Sequence, residues 1–455
     1  MRLDFSSLPL KNRAFSDKPM NFIDKVPKEY LSAVIDLAAI ETGNRAAREH
    51  WQQNQLQNLL AYAAQRSPIW RARIGARRIR GIRLGDLPVQ TREDLIAQVE
   101  KEGSLARPNE TAQLAEHSTS GSTGVPVRFF LTQRNSNYNI VRSITQFFLE
   151  GRDFALNRTR AKSNVVRDAK GFSVRKTDSW MGPLEGFLRS GVNKNIDYFS
   201  PDLDALCREL ENDPIGYLVG QPRFLEIVLQ HVGPEFFRRA GTAMLIPTAE
   251  AFDPQLRRDF LSVGIPARGN YSSEEVGLIA SECESFADHF HVATSNVLVE
   301  VAGREKLTGA AKPVGRILVT ALHSYATPFI RYDVGDIGTL EESCGCGHDG
   351  PVLSNIFGRE KSLLKHPDGS VSQFYPRGKD FMAIAPVKEY RVRQTSLKNI
   401  VLEVSGRQPL SSEQIERFAA LVRLHAGAGF DVEVRQVDSV DWGHSVKRLG
   451  FSCEV

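Results

Sequence analysis

The densest run of chemically useful residues is the loop HSTSGSTGVPV, in which Ser118, Thr119, Ser120, Gly121, Ser122, Thr123 and Gly124 precede Val125, Pro126 and an apolar run. Glycine permits tight dihedrals and close backbone approach, so such a loop can turn several N–H groups and hydroxyls toward one anion. A polyphosphate would suit it. The common nucleotide loop ends in Gly-Lys-Ser/Thr ahead of a helix, whereas here Gly124 is followed by Val125 and Pro126. A solvated Ser/Gly turn of the same composition is the plain alternative.

A second set combines thiols and imidazoles. Cys283, His289 and His291 lie close together in the sequence, and Cys344-Gly-Cys346-Gly follows some fifty residues on. Tetrahedral zinc favours thiolate and imidazole ligands, and a Cys-Gly-Cys step lets two sulfurs face one ion. The expected ligands are Cys283, His291, Cys344 and Cys346, with His289 as the alternative to His291. Four protein ligands leave no open coordination position, so the ion would be structural. The plain alternative is reduced cysteines in a Gly-rich turn beside unrelated histidines. Five cysteines in 455 residues are too few for a disulfide framework.

Further motifs follow the Ser/Gly loop in order: PTAEAFD at 247–253, GNYSSEEVGLIASEC at 269–283, YDVGDIG at 332–338, GREKSLL at 358–364 and the final VKRLGFSCEV. In this series the chain resembles the adenylate-forming enzymes, within them the branch of phenylacetate-CoA ligase and the related capsular polysaccharide biosynthesis proteins. The resemblance implies ATP and Mg²⁺ as cofactors, with Ser118 to Gly124 on the phosphates and Thr248, Ala249 and Glu250 as the adenine-contacting turn. Tyr271, Ser272 and Ser273 belong to the tyrosine-and-glutamate motif, in which Glu275 would bind Mg²⁺. Asp336 would hold the ribose hydroxyls, Arg359 would contact ribose or phosphate, Lys361 would sit at an interdomain hinge, and Lys447 would be the catalytic lysine. Some members of the branch also carry a structural Zn²⁺ at a similar cysteine and histidine cluster.

Three positions depart from the family pattern. Val125 stands where a lysine is usual, so that one phosphate-facing charge is either missing or supplied by Arg128; Glu274 stands where a threonine precedes the metal-binding glutamate; and Ser445-Val446 replace the residues before Lys447. The implied reaction is activation of a small carboxylic acid, aromatic by resemblance, as its adenylate, followed by transfer to CoA. An adenylating ligase that serves an amine or an acyl-carrier protein, and a non-catalytic nucleotide-binding homologue, are the alternatives. Gln221, Pro222, Arg223, Thr248 and Tyr271 are the expected acid-pocket residues.

The elements that must position these residues can be read from periodicity. EHWQQNQLQNLLAYAAQRSPIW puts Leu56, Leu59, Leu60 and Tyr62 on one helical stripe that stops at Ser67-Pro68, so the first part, to about residue 110, is helical scaffold. From about Ser118 to Val301, apolar runs such as IGYLVG, TAMLIPTAE and IPARGNYSS alternate with amphipathic segments, the pattern of an α/β sheet. Residues 296–340 read as β-rich. A boundary at the hinge motif GREKSLL divides a large α/β domain, 1–358, from a small mobile α+β domain, 359–455. Lys+Arg number 58 against 54 Asp+Glu, a spread excess that calls for no nucleic acid. No apolar run of signal-peptide or bilayer-spanning length is found, so a cytoplasmic, membrane-independent protein is expected, with a homodimer left open.

Overall fold

The computed structural model describes residues 25–107, 114–118, 127–164, 166, 168–185, 187–250, 252–305, 313–359, 363–374, 378–406, 408–442 and 450–455. Helices Lys25–Thr42, Arg45–Arg66, Pro68–Ile74 and Arg92–Glu102 open it. Leu56, Leu59, Leu60 and Ala63 form the buried stripe of the second helix, as their spacing predicts. Ser67 ends that helix and caps the next by accepting from the Trp70 N–H, with Pro68 in the first turn where its missing N–H costs nothing. Buried Gln52 donates to the carbonyls of Thr294 and Val297, which ties this scaffold to the β-rich part.

A five-stranded sheet runs in the order Phe172–Thr177, Asn193–Tyr198, Arg158–Ser163, Gly216–Gly220, Thr242–Pro247. Its last four strands are mutually parallel, and the first is an antiparallel edge. Helices Leu203–Glu211, Pro222–Val232, Pro234–Arg239 and Pro254–Leu261 cover one face through Leu206, Leu225, Phe237 and Phe260. The other face receives Lys25–Thr42 and Gln133–Leu149.

A seven-stranded antiparallel sheet follows, in the order Val297–Glu305, Val314–Ala321, Tyr332–Glu341, Val352–Arg359, His289–Val292, Gly277–Glu282, Asn270–Ser273. IPARGNYSS, expected as one more step of the α/β alternation, behaves differently. Ala267 makes a single parallel bridge to Leu245, and Asn270–Ser273 then crosses into the antiparallel sheet. The buried Glu282 carboxylate accepts from the Gly269 N–H at 2.6 Å, a local bond that periodicity does not register and that holds the chain at this crossing.

Near the C-terminus, Asn399–Gly406, helix Ser412–Ala426 and Asp431–Val437 form the expected β-α-β unit, its two strands parallel. Val387–Gln394 and Phe451–Cys453 complete a four-stranded sheet with its own core around Phe381, Leu402, Phe418 and Val422. Among the described residues no helix is long and apolar enough to cross a membrane.

Candidate active site and metal cluster

Strands Leu114–Ser118 and Arg128–Thr132 pair antiparallel with Ser118, the first residue of the Ser/Gly motif, opposite Arg128. Thr119, Ser120, Gly121, Ser122, Thr123 and Gly124 lie outside the described residues, as do Lys361 and Lys447. The Arg128 guanidinium donates to Glu116 at 2.6 Å across the strand pair, so the candidate replacement for a lysine at Val125 is engaged by a carboxylate.

The motif residues of the antiparallel sheet come together. The Tyr271 hydroxyl donates to Asp336 at 2.8 Å. Their strands are separated by three others in the sheet order, and in a flat sheet four strand spacings would hold them about 19 Å apart. The sheet must therefore curl until its Tyr271 edge faces the Asp336 strand. Asp336 is also the direct cross-strand partner of Arg359, so two residues expected on the ribose side are neighbours in register.

Glu275 occupies the turn between Asn270–Ser273 and Gly277–Glu282, where the left-handed φ of 74° at Gly277 admits the reversal. Its carboxylate is buried and takes a long contact from the Tyr332 hydroxyl, 3.5 Å. Glu274 points the other way and meets Lys162 at 3.9 Å, both side chains being more than half exposed. The extra carboxylate therefore does not crowd Glu275. Ser273 accepts from the Val276 N–H and steadies the turn, while Ser272 faces out.

Thr248, Ala249 and Glu250 follow the last parallel strand. The Thr248 N–H donates to the Gly220 carbonyl at 3.1 Å, and Ala249 holds φ 69°, a left-handed conformation that costs a non-glycine residue about 1–2 kcal/mol. Gln221 caps the start of helix Pro222–Val232 in position only. Its side chain instead joins Tyr198, which donates to Oε1 at 3.1 Å, to Glu250, which accepts from Nε2 at 3.2 Å. Gln221, Pro222, Arg223 and Thr248 thus stand at the carboxyl ends of the parallel strands, where ligands of such sheets collect, whereas Tyr271 lies in the antiparallel sheet.

The cysteine and histidine set converges at the far end of the antiparallel sheet. One ligand atom each from Cys283, His291, Cys344 and Cys346 falls within 4.8 Å of all the others. Cys283 Sγ and Cys344 Sγ are 3.8 Å apart and Cys346 Sγ and His291 Nε2 3.4 Å. A tetrahedron with 2.3 Å zinc–sulfur bonds separates its sulfurs by ~3.8 Å, so the donors already stand at the spacing such an ion imposes. His289 Nδ1 touches Cys344 alone, at 3.8 Å, and stays outside the foursome. Burial lowers His291 to about 4, which keeps its imidazole neutral and able to ligate, and burial pushes the Cys344 thiol up to about 11, the cost of a buried thiolate without a cation.

Residues that the motif reading missed shape these places, His348 and Arg48 at the cysteine cluster and Tyr332 at the carboxylate site. His348 stacks on His291 with ring centroids 4.1 Å apart and planes 12° apart, while its carbonyl accepts from the Cys344 N–H. Its position two residues after Cys346 extends Cys-x-Cys to Cys-x-Cys-x-His, a signal legible in the chain. Buried Arg48, from the N-terminal scaffold, donates to the adjacent Asp349 at 2.5 Å. Tyr332 opens the YDVGDIG motif, but only folding shows that it reaches Glu275.

No protein-family model and no curated protein sequence matches the chain. Among solved structures, a 2-hydroxyisobutyryl-CoA ligase in the postadenylation state with 2-HIB-AMP is similar over 91% of this chain and 91% of that one, with a TM-score of 0.65 at 17% identity. The same ligase with R3-HIB-AMP aligns over 98% and 97% with a TM-score of 0.63 at 16% identity. Its open conformation with 2-HIB-AMP and CoA covers 98% and 99% with a TM-score of 0.57 at 16% identity. The chain therefore has the adenylate-forming ligase fold.

Proposed function

We propose that a chain with this fold activates a carboxylic acid, aromatic by its resemblance to the phenylacetate-CoA ligase branch, as the acyl-adenylate and passes the acyl group to CoA. The observation that carries the reading is the meeting of Tyr271 with Asp336 at 2.8 Å, with Arg359 across from Asp336 in register. Residues from three separate motifs thus adjoin, as one bound nucleoside would require. The solved neighbours, whose bound molecules include an acyl-AMP and CoA, favour the same chemistry.

In the reaction, an oxygen of the substrate carboxylate attacks the α-phosphorus of ATP, and the bond to pyrophosphate breaks. The thiol of CoA then attacks the acyl carbon, loses its proton, and AMP leaves. Mg²⁺ bound with ATP would neutralise phosphate charge. In this reading the Glu275 carboxylate holds that ion, with the Tyr332 hydroxyl to orient it, and Asp336 accepts from the ribose hydroxyls. The Ser118 to Gly124 loop cradles the β- and γ-phosphates, and Thr248 to Glu250 with Ser272 and Ser273 border the adenine. Lys447 meets the α-phosphate and the acid carboxylate, where a cation in a closed site is worth far more than in water. Residues 359–455 would form the mobile domain, turning at Lys361 between the two half-reactions.

Cys283, His291, Cys344 and Cys346 suit a structural zinc ion that closes the far end of the sheet. The experiment is pyrophosphate release from ATP and Mg²⁺ across aryl and alkyl acids, with and without CoA, on protein assayed for bound metal. Release with one acid and a thioester that requires CoA are expected. Release quickened by hydroxylamine but not by CoA would move the acceptor to an amine or carrier, and silence across the panel would overturn adenylation.

A further inference from the structure

Arg158–Ser163, Asn193–Tyr198, Gly216–Gly220 and Thr242–Pro247 run parallel, so Ser163, Tyr198, Gly220 and Pro247 end on one edge of their sheet. The turn carrying Glu274 and Glu275 stands opposite that edge, since Lys162 reaches Glu274 at 3.9 Å. An acid bound against Mg²⁺-ATP would enter the space between them. Tyr198 ends its strand on that edge, with a half-buried ring packed on Phe224, centroids 4.9 Å apart.

The chain of hydrogen bonds from Tyr198 has a fixed direction. A Glu250 carboxylate can only accept, so Gln221 must offer it the amide NH₂ at 3.2 Å. The Gln221 carbonyl oxygen then faces Tyr198 and takes the phenol proton at 3.1 Å. With its proton committed, the phenol oxygen can meet a ligand only as an acceptor. Burial, followed by the Glu250 charge, pushes the Tyr198 phenol far up, so it stays protonated and the direction holds at every pH the protein meets.

We propose that Tyr198 is a specificity-determining residue that selects acids bearing a hydrogen-bond donor, a hydroxyl or an amine, on the part of the molecule away from the reacting carboxylate. This rests on the adenylation reading and narrows its substrate class. An unsubstituted aryl acid would cover the phenol oxygen without bonding it and forgo a hydrogen bond worth about 0.5–1.5 kcal/mol, roughly a 3- to 10-fold loss.

The test is ATP–pyrophosphate exchange by the full-length protein with paired acids: phenylacetate against 3-hydroxy- and 4-hydroxyphenylacetate, and benzoate against 3-hydroxy-, 4-hydroxy- and 4-aminobenzoate. A donor-bearing member is expected to exceed its parent by about three- to tenfold in kcat/KM, chiefly through KM. Tyr198→Phe should lower the value for that member and raise it for the parent, bringing their ratio toward one. Melting temperature and ATP binding check that the variant is folded. A tyrosine with a merely structural role would shift both members alike and leave the ratio intact, which overturns the proposal. Wild-type preference for the parents overturns it too, while leaving adenylation standing; exchange with no acid at all overturns both.

Discussion

The antiparallel sheet meets different chemistry at its two ends. Where Tyr332–Glu341 begins, Tyr332 contacts Glu275; just beyond where it finishes, Cys344 joins Cys283. Gly277–Glu282 repeats the arrangement, with Glu275 before it and Cys283 after it. The six-residue strand Gly277–Glu282 by itself holds the two ends about 20 Å apart. At the cysteine end four ligand atoms from Cys283, His291, Cys344 and Cys346 lie within 4.8 Å of one another. At the carboxylate end Tyr271 meets Asp336 and Tyr332 meets Glu275, and a carboxylate, with about four lone-pair sites, can accept from more than one donor at once. One sheet can thus divide the work: one end preserves shape, while the other changes partners during turnover.

Substitutions can break that division. Lys447→Ala should have the largest effect, reducing adenylate formation by about 10²-fold or more with melting unchanged, as expected for loss of a charge aimed at a developing anion. Equal pyrophosphate release by the variant would remove the lysine from the carboxylate end. Cys344→Ser combined with Cys346→Ser, or prolonged chelation, should strip the metal and lower Tm by about 5 °C or more, since a structural zinc contributes directly to folding energy. KM for ATP should then hold within about threefold; a tenfold rise would mean that the two ends are coupled, and Glu282 would be the first suspect, because its carboxylate accepts from Gly269 N–H, Arg257 and Asp288 N–H between them. Tyr332→Phe should act least. A single hydrogen bond to Glu275 is worth about 0.5–1.5 kcal/mol, so a 3- to 10-fold rise in the Mg²⁺ needed for half-maximal rate is expected with no change in Tm. If Tm drops and the Mg²⁺ dependence stays put, Tyr332 belongs to the core alone.

Legibility from sequence followed the range of each interaction. The helical stripe of Leu56, Leu59 and Leu60, the cap at Ser67-Pro68 and the β-α-β unit near the C-terminus are local patterns, and the structure has them where periodicity put them. The cysteine and histidine foursome was also readable, because ligand chemistry restricts which residue types can gather. Ring stacking of His348 on His291 was not, since stacking leaves no pattern in spacing. Neither was the reach of Tyr271 to Asp336, which depends on how far the sheet curls, a sum of small twists over several strands. The outward turn of Glu274 toward Lys162 pairs a β-hairpin with a strand of another sheet, more than a hundred residues away. Contacts of that range are decided by packing, and no window along the chain contains both partners.

Gln90 illustrates what such range means for a protein as it is made. Almost wholly buried, it sits beside Tyr332 like a one-residue strand: its N–H donates to the Arg331 carbonyl, its carbonyl accepts from the Asp333 N–H, and its side chain bonds Pro328 and Ile330. During synthesis the helices around it leave the ribosome some 240 residues before those partners exist. At about 5–20 residues per second that is roughly ten to fifty seconds in which a polar side chain and its backbone wait for their place. The helical part cannot be sealed as an early folding unit of its own, and a ribosome-bound chain halted before residue 328 should leave it open to protease.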